Sequence, residues 1–357
     1  MSFAFRSLVA RTRTRLGRVS PSGDEQDVSL KVLVSGRPPS HRLRYVDQIL
    51  GDSSVSSPPF GIDFEYRDAP SGRDSVDVVH LTDSAAVLGN RRVPESEKVA
   101  RAAAFTRALK RRRVSLVRTV TADVDRDSRG SRAEAILDRA TSTYITHSSH
   151  RTVPQGREAT LIPHGHLRFR FLGYPRGVAE SGRLLFVTPD SFHSAYEAAM
   201  KVFAYADLPA HTLRIVGKIP SRLASSFART ISVNSKTITL LDDTVSDAAR
   251  VEEISRAALV IIEAPETDES MSTMLLALSL DRPVLVEDTP FTRDLAAEVG
   301  DSWVRLHPGR LTAVELEKAL ASFTESPPTG TPDLDARDPD TVSQQFTAVY
   351  RSAAASR

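Results

Sequence analysis

The chain has 357 residues, long enough for two domains of ordinary size. Its 40% hydrophobic and 26% charged residues are those of a soluble globular protein, and no apolar run approaches the roughly 20 residues that span a bilayer. A net charge of +2 is too small to argue for nucleic acid, and the lack of cysteine excludes disulfides, thiolate metal sites and a cysteine nucleophile, as suits a reducing cytoplasm.

The opening stretch, MSFAFRSLVARTRTRLGRVS, has neither the apolar core nor the small-residue cleavage site of a signal peptide. Arg6, Arg11, Arg13, Arg15 and Arg18 alternate with Phe3, Phe5, Leu8, Val9 and Leu16, with no acid among them. Such a segment suits either an amphipathic helix lying on an anionic membrane or a basic tail. PSGDEQD at 21–27 reads as a polar linker.

Short β-branched runs then alternate with helical patterns. Val32–Val34, 76–81, 114–120 and 143–147 read as strands, with helices over 95–113 and 131–140. A second series follows YPRGVAESG, with strands over 183–188, 212–217, 236–241, 258–263, 283–287 and 303–306. HSAYEAAMKVFAYA and TPFTRDLAAEVG supply helices within it. The Pro/Asp-rich stretch SPPTGTPDLDARDPD reads as a loop, and a short helix starts near Thr341. Alternation of this kind predicts an α/β chain with two Rossmann-like domains facing across a cleft. The boundaries expected are a basic tail and linker at 1–27, a first domain at 28–170, a second at 181–325, and a loop with a terminal helix at 326–357.

No glycine-rich dinucleotide fingerprint and no P-loop lysine motif is present. His147, His150, His164 and His166 lack the helical spacing of a metal site and read as loop polarity, so no metal and no cofactor is expected. In ATLIPHGHLRFRF, Gly165 permits close backbone approach between His164 and His166, with Arg168 and Arg170 following. A phosphate or sugar hydroxyl suits that loop, and so does a plain interdomain turn. In ALVIIEAPETDESMSTMLLALSLDRPVLVE, a strand leads through Glu263, Glu266, Asp268 and Glu269 to a helix start at Ser270, Ser272 and Thr273. Free amide N–H groups and a positive dipole end make an anion site there, although hydroxyls belong at helix starts as caps in any case.

Three stretches resemble retaining glycosyltransferases of the GT-B fold, of the actinobacterial polysaccharide type. They are DRATSTYITHSS with IPHGH, ALSLDRPVLV, and LAAEVGDSWVRLHPGRLTAVELEKAL. The resemblance implies a sugar donor bound as a UDP or GDP diphosphate and a saccharide or lipid-linked acceptor, in cell-envelope or exported polysaccharide synthesis. It places His164, Gly165, His166, Arg168, Ser191, Ser194, Glu269, Ser270, Ser272 and Thr273 at the donor. Asp83, Asp123 and Asp125 are the candidates to assist the acceptor hydroxyl. The working positions depart from the family pattern. Ser191 and Ser194 stand where an Arg and a Lys usually hold the diphosphate, and LLALS lacks the expected carboxylate. An inactive GT-B scaffold that binds a partner enzyme or a saccharide is the alternative implied by those losses.

Overall fold

The chain is described by a computed structural model over residues 29–36, 61–120, 131–154, 156–187, 193–217, 221–233, 237–241, 246–263 and 268–356. Its first sheet contains β1 (Leu30–Ser35), β2 (Ile62–Arg67), β3 (Val78–Leu81), β4 (Ser115–Val120), β5 (Thr141–Thr146) and β6 (Ala159–Leu161). All pairings are parallel, in the order β2-β1-β3-β4-β5-β6. Parallel strands need a covering on both faces, and alternating residues supply it. Leu33, Val79 and Leu116 pack on α1 (Glu95–Arg112) and α2 (Arg132–Ala140) through Phe105, Leu109 and Leu137. Val32, Val34, Val78, Val117 and Ile145 point to the opposite face.

The second sheet is built alike, from β7 (Arg183–Val187), β8 (Thr212–Val216), β9 (Ile238–Leu241), β10 (Leu259–Ile262), β11 (Val284–Glu287) and β12 (Val304–His307). The order is β12-β11-β10-β7-β8-β9. In chain order the helices are α3 (His193–Tyr205), α4 (Ser221–Val233), α5 (Asp247–Arg256), α6 (Asp268–Ser279), α7 (Pro290–Val299) and α8 (Ala313–Glu325). One face carries Phe186, Ile215 and Ile261 against Tyr196 and Leu316; the other carries Leu185, Val260 and Val286 against Met274, Leu275 and Leu295. The expected strands are all present where described. β2 and β6 are additional, and α6 starts at Asp268, two residues before Ser270.

Local chemistry fixes several ends. Glu95 and Glu97 sit in the first turn of α1, and Lys110, Arg111 and Arg112 in its last, which matches the helix dipole at both ends. Thr289 and Thr292 form a reciprocal capping box before α7, with Pro290 at its first position.

The terminal helix α9 (Pro339–Ala355) is longer than the short helix expected, and it does not stay with the second domain. It crosses back and covers the open face of the first sheet with Val342, Phe346, Val349 and Tyr350. Burying each large apolar side chain contributes roughly 1.5–3 kcal/mol. Ser115 Oγ donates to the Ala353 carbonyl at 2.6 Å. Inside this packed face, the His80 ring bonds Tyr350 Oη at 2.9 Å and Thr119 Oγ1 at 2.8 Å. Burial, with His147 nearby, pushes the His80 imidazole down to about 3, so it stays neutral.

The two crossings between domains lie against each other. Arg337 donates to the His164 carbonyl at 3.2 Å and accepts, through its own carbonyl, from His166 N at 2.8 Å. Its guanidinium also grips Glu298 of α7, Nε to Oε1 at 2.7 Å and Nη2 to Oε2 at 2.8 Å. Leu167 N donates to Ser279 Oγ at 2.8 Å, and Arg168 Nη2 to the Pro332 carbonyl at 2.7 Å.

Candidate active site

In open parallel α/β sheets, ligands bind beyond the carboxyl ends of the strands, where the strand order reverses. The first sheet reverses between β1 and β3, and the second between β7 and β10. Contact after β5 brings the two carboxyl edges together. His150 Nε2 lies 2.9 Å and Ser149 Oγ 3.2 Å from Asp294, in the first half of α7. The space between the reversals is therefore the candidate cleft.

On the first sheet, the reversal is closed by a hydroxyl pair. Thr82 N donates to Ser35 Oγ at 2.9 Å, and Thr82 Oγ1 donates to the Ser35 carbonyl at 2.8 Å. Ser84 Oγ, two residues on, donates to Glu134 at 2.5 Å. Glu134 is held by the buried Arg118, which also binds Asp138 at 2.6 Å. Asp83 thus stands between two anchored neighbours and is itself exposed, with Oδ1 accepting from Ala85 N at 2.8 Å. Asp123 and Asp125 lie outside the described residues.

On the second sheet, Glu263 follows β10 at the reversal. Burial raises its carboxyl above the ordinary glutamate value; Arg310 opposes that shift and Glu287 adds to it. Ser270 Oγ donates to the Glu263 carbonyl at 3.0 Å. Glu287 ends β11, and the buried His307 ends β12. Burial lowers the His307 imidazole, opposed by Gly309, Glu315 and Asp288.

The expected donor residues are distributed unevenly. Ser270, Ser272 and Thr273 are in the first two turns of α6, at 1%, 3% and 2% exposure. Ser191, and the side chains of Ser194 and Glu269, lie outside the described ones. His164, Gly165 and His166 sit in the interdomain crossing. The close approach at Gly165 is to the Arg337–Pro339 backbone, at 3.5–3.6 Å from where a Cβ would be. His164 and His166 are buried, at 3% and 7% exposure, and the His147 and His164 ring centroids lie 4.2 Å apart, whereas His150 is exposed. Arg168 is engaged by Pro332 and lies 3.7 Å from Asp281, while Arg282 Nε donates to the Ser255 carbonyl, at the other end of α6.

Two residues were not foreseen. Arg310 and Glu287 become neighbours of Glu263 only because β10, β11 and β12 are adjacent. The available signal was positional: each closes or follows a strand of the second series, as in VLVE and VRLHPGR.

No family model matches the chain. Two Rossmann-like halves with reversal points on facing carboxyl edges define the GT-B class, and solved structures agree. Anabaena HepE in complex with UDP superposes with a TM-score of 0.57 at 14% identity, over 91% of this chain and 100% of that one. UDP-GlcNAc 2-epimerase from Neisseria meningitidis, bound to UDP-GlcNAc, gives 0.50 at 10% identity, over 92% and 100%. By sequence, a GDP-mannose:glycolipid 4-beta-D-mannosyltransferase of Xanthomonas campestris pv. campestris is 30% identical over 241 residues, 67% of this chain and 68% of that one. The chain belongs to the glycosyltransferase family of that mannosyltransferase.

Proposed function

We propose that the protein transfers a sugar, of the mannosyl type, from a GDP-linked donor to a glycolipid acceptor in the assembly of an envelope or exported polysaccharide. The observation that carries this is the pair of facing sheet reversals, Thr82–Asp83 on one side and Glu263 with the start of α6 on the other, in a chain that shares its family with a glycolipid mannosyltransferase.

The donor diphosphate lies at the amino end of α6, where the positive end of the helix dipole favours an anion. Ser270, Ser272 and Thr273 shape that turn, with Ser191, Ser194 and Glu269 beside it. Arg310 supplies positive charge that the serines cannot, and so stabilises the leaving group as it departs. Glu263 hydrogen-bonds a donor hydroxyl. His164, Gly165, His166 and Arg168 act on the donor indirectly, by setting the angle at which the domains meet. From the other side, Asp83 takes the proton of the attacking acceptor hydroxyl, with Asp123 and Asp125 on the same acceptor side.

The resemblance implies retention, but a β-linked product from an α-configured GDP-mannose requires inversion. We take inversion as the course, since it gives a single base such as Asp83 a direct role. Incubation with GDP-mannose and a lipid-linked saccharide, followed by NMR of the new linkage, tests both points. No transfer from GDP-mannose, with turnover of UDP-sugars instead, would overturn the donor, and an α-linked product would restore retention.

The arginine-rich segment at 1–20 holds the enzyme near its acceptor on anionic lipid. Sedimentation with anionic vesicles, with and without that segment, tests this; equal pelleting would refute it.

A further inference from the structure

The face of the first sheet that packs on α1 and α2 is built on Leu33, Val79, Leu81 and Leu116, yet it also holds a charge. Arg118 of β4 lies in register between Leu81 of β3 and Tyr144 of β5, and is 4% exposed. It bonds two carboxylates of α2, Glu134 Oε2 through Nη2 at 2.5 Å and Asp138 Oδ1 through Nη1 at 2.6 Å. Tyr144 Oη donates to Asp138 at 2.7 Å. Burial, with that bond, pushes the Tyr144 phenol up to about 12, so it remains the donor. Stability alone does not ask for these charges, since well-packed apolar side chains of similar volume hold a helix on a sheet as well or better.

Two side chains beside this pair are diverted from the local caps their positions suggest. SRAE at 131–134 is a capping-box sequence, in which Glu134 would reach back to the Ser131 amide. Ser131 Oγ does accept from Glu134 N at 3.2 Å, but the Glu134 carboxylate turns inward. Glu95 of α1 serves the start of α2 in its place, accepting from Ser131 Oγ at 3.0 Å and from Ala133 N at 3.1 Å. Ser84 stands at the N-cap of the short helical turn Ala85–Leu88, and its side chain makes no cap bond. Its hydroxyl donates instead to Glu134 Oε1 at 2.5 Å, and Asp83 Oδ1 takes the Ala85 amide at 2.8 Å. The two diverted groups therefore meet. Glu134 gives one oxygen to the buried arginine and the other to the turn after β3.

We propose that Glu134 is a positioning residue for the transfer reaction: held by Arg118, it pins Ser84 and so fixes the turn that presents Asp83 at the carboxyl edge of β3. The other flank of the turn is pinned by Ser35 through Thr82. With both flanks fixed and Oδ1 on Ala85 N, Asp83 is exposed, and its Oδ2 has no partner among the described residues. A base that must come within hydrogen-bond reach of an acceptor hydroxyl gains from such a fixed backbone, because small misplacements cost rate. Anchoring α2 would require only Arg118. The bond to Ser84 adds nothing to the start of that helix, which Ser131 and Glu95 already cap. This role rests on Asp83 being the base proposed above.

The test measures steady-state transfer by the full chain to a lipid-linked saccharide from GDP-mannose, or from a UDP-sugar if that proves to be the donor. Ser84→Ala should lower kcat about tenfold and leave KM for the donor unchanged. In an Asp83→Asn background the same change should cost nothing further, since a positioning residue acts only through the group it positions. Arg118→Met with Glu134→Leu keeps the buried volume and removes the tie, and should transfer no better than Ser84→Ala. Parental kcat in either of these variants would overturn the proposal while leaving Asp83 as the base, and so would a further loss of similar size in the Asp83→Asn background. Parental turnover in Asp83→Asn alone would remove the base, and the positioning with it.

Discussion

The imidazole rings of His147 and His164 lie with centroids 4.2 Å apart and planes inclined at 41°, where the first sheet hands the chain to the second domain. His147 Nδ1 donates to the Ile162 carbonyl at 2.7 Å, which fixes its tautomer. Both rings are neutral. Burial is the main cause, and it brings His147 down to about 4 and His164 well below its ordinary value.

Acid should therefore loosen the fold at a higher pH than carboxylates alone would set. His80, His147 and His164 all have folded values below the ordinary 6.5. The unfolded chain binds protons where the folded chain does not. The stabilisation is full above 6.5 and is lost as pH falls toward the folded values. Each histidine contributes a slope of up to about 1.4 kcal/mol per pH unit across that window. Urea unfolding at pH 7.5, 6 and 5 should show falling stability (buffer values at roughly these points suffice), with a shallower fall in His147→Gln. A flat profile would mean that these rings are not buried neutral.

Arg337 joins the His164 carbonyl to Glu298, and its side chain is only 6% exposed against 27% for its partner. Arg337→Met leaves a carboxylate and a carbonyl without their donor. The expected cost is about 3 kcal/mol, at the low end for breaking a buried pair. Adding Glu298→Leu should recover part of it. A loss below about 1 kcal/mol would place the contact among ordinary surface bridges.

Asp83→Asn keeps the acceptor for Ala85 N and removes the base. Transfer should fall by about 10²–10⁴-fold, while affinity for GDP is unchanged. Near-parental turnover in this variant would remove Asp83 from the chemistry and leave Asp123 and Asp125 to be tested.

Arg310→Gln should weaken GDP binding by about tenfold, the size of one charge-assisted hydrogen bond, and should reduce its salt dependence. Glu263→Gln should bind GDP about as well as the parent. The raised Glu263 carboxyl favours the protonated form, so the stability it gives is present at low pH and lost as pH rises through its folded value. Glutamine at this position should then be neutral or stabilising at neutral pH. Calorimetry reads both variants, and a Glu263→Gln protein that binds far less tightly would show that the charge itself is needed.

Much of the scaffold was legible because buried parallel strands are short β-branched runs, as in Leu259–Ile262. β2 escaped notice since IDFEYR is an edge strand with charged residues at alternate positions, and β6 because ATL is fully exposed. The helix start near Ser270 was legible as a pattern of small hydroxylated residues, but its burial was not. That depends on what packs above it. The neighbours of Glu263 come from β11 and β12, and strand order is not written in any one stretch. Likewise PHGH carried its own polarity, while the partner that uses it, Arg337, lies far along the chain. QQFTAVY shows an apolar helical stripe and gives no sign of which sheet the stripe will cover.

The return of α9 to the first sheet has a consequence for biosynthesis. The strands at 30–161 leave the ribosome well before residues 342–353, which complete one of their two faces. At roughly 5–20 residues per second, the wait is on the order of ten seconds or more. For that time the nascent first domain shows Val32, Val34, Val78, Val117 and Ile145 to solvent, while the second domain can close its own core as it emerges. The half that is made first is thus finished last, and a stalled or nicked chain lacking α9 should be a client for chaperones through that one apolar face.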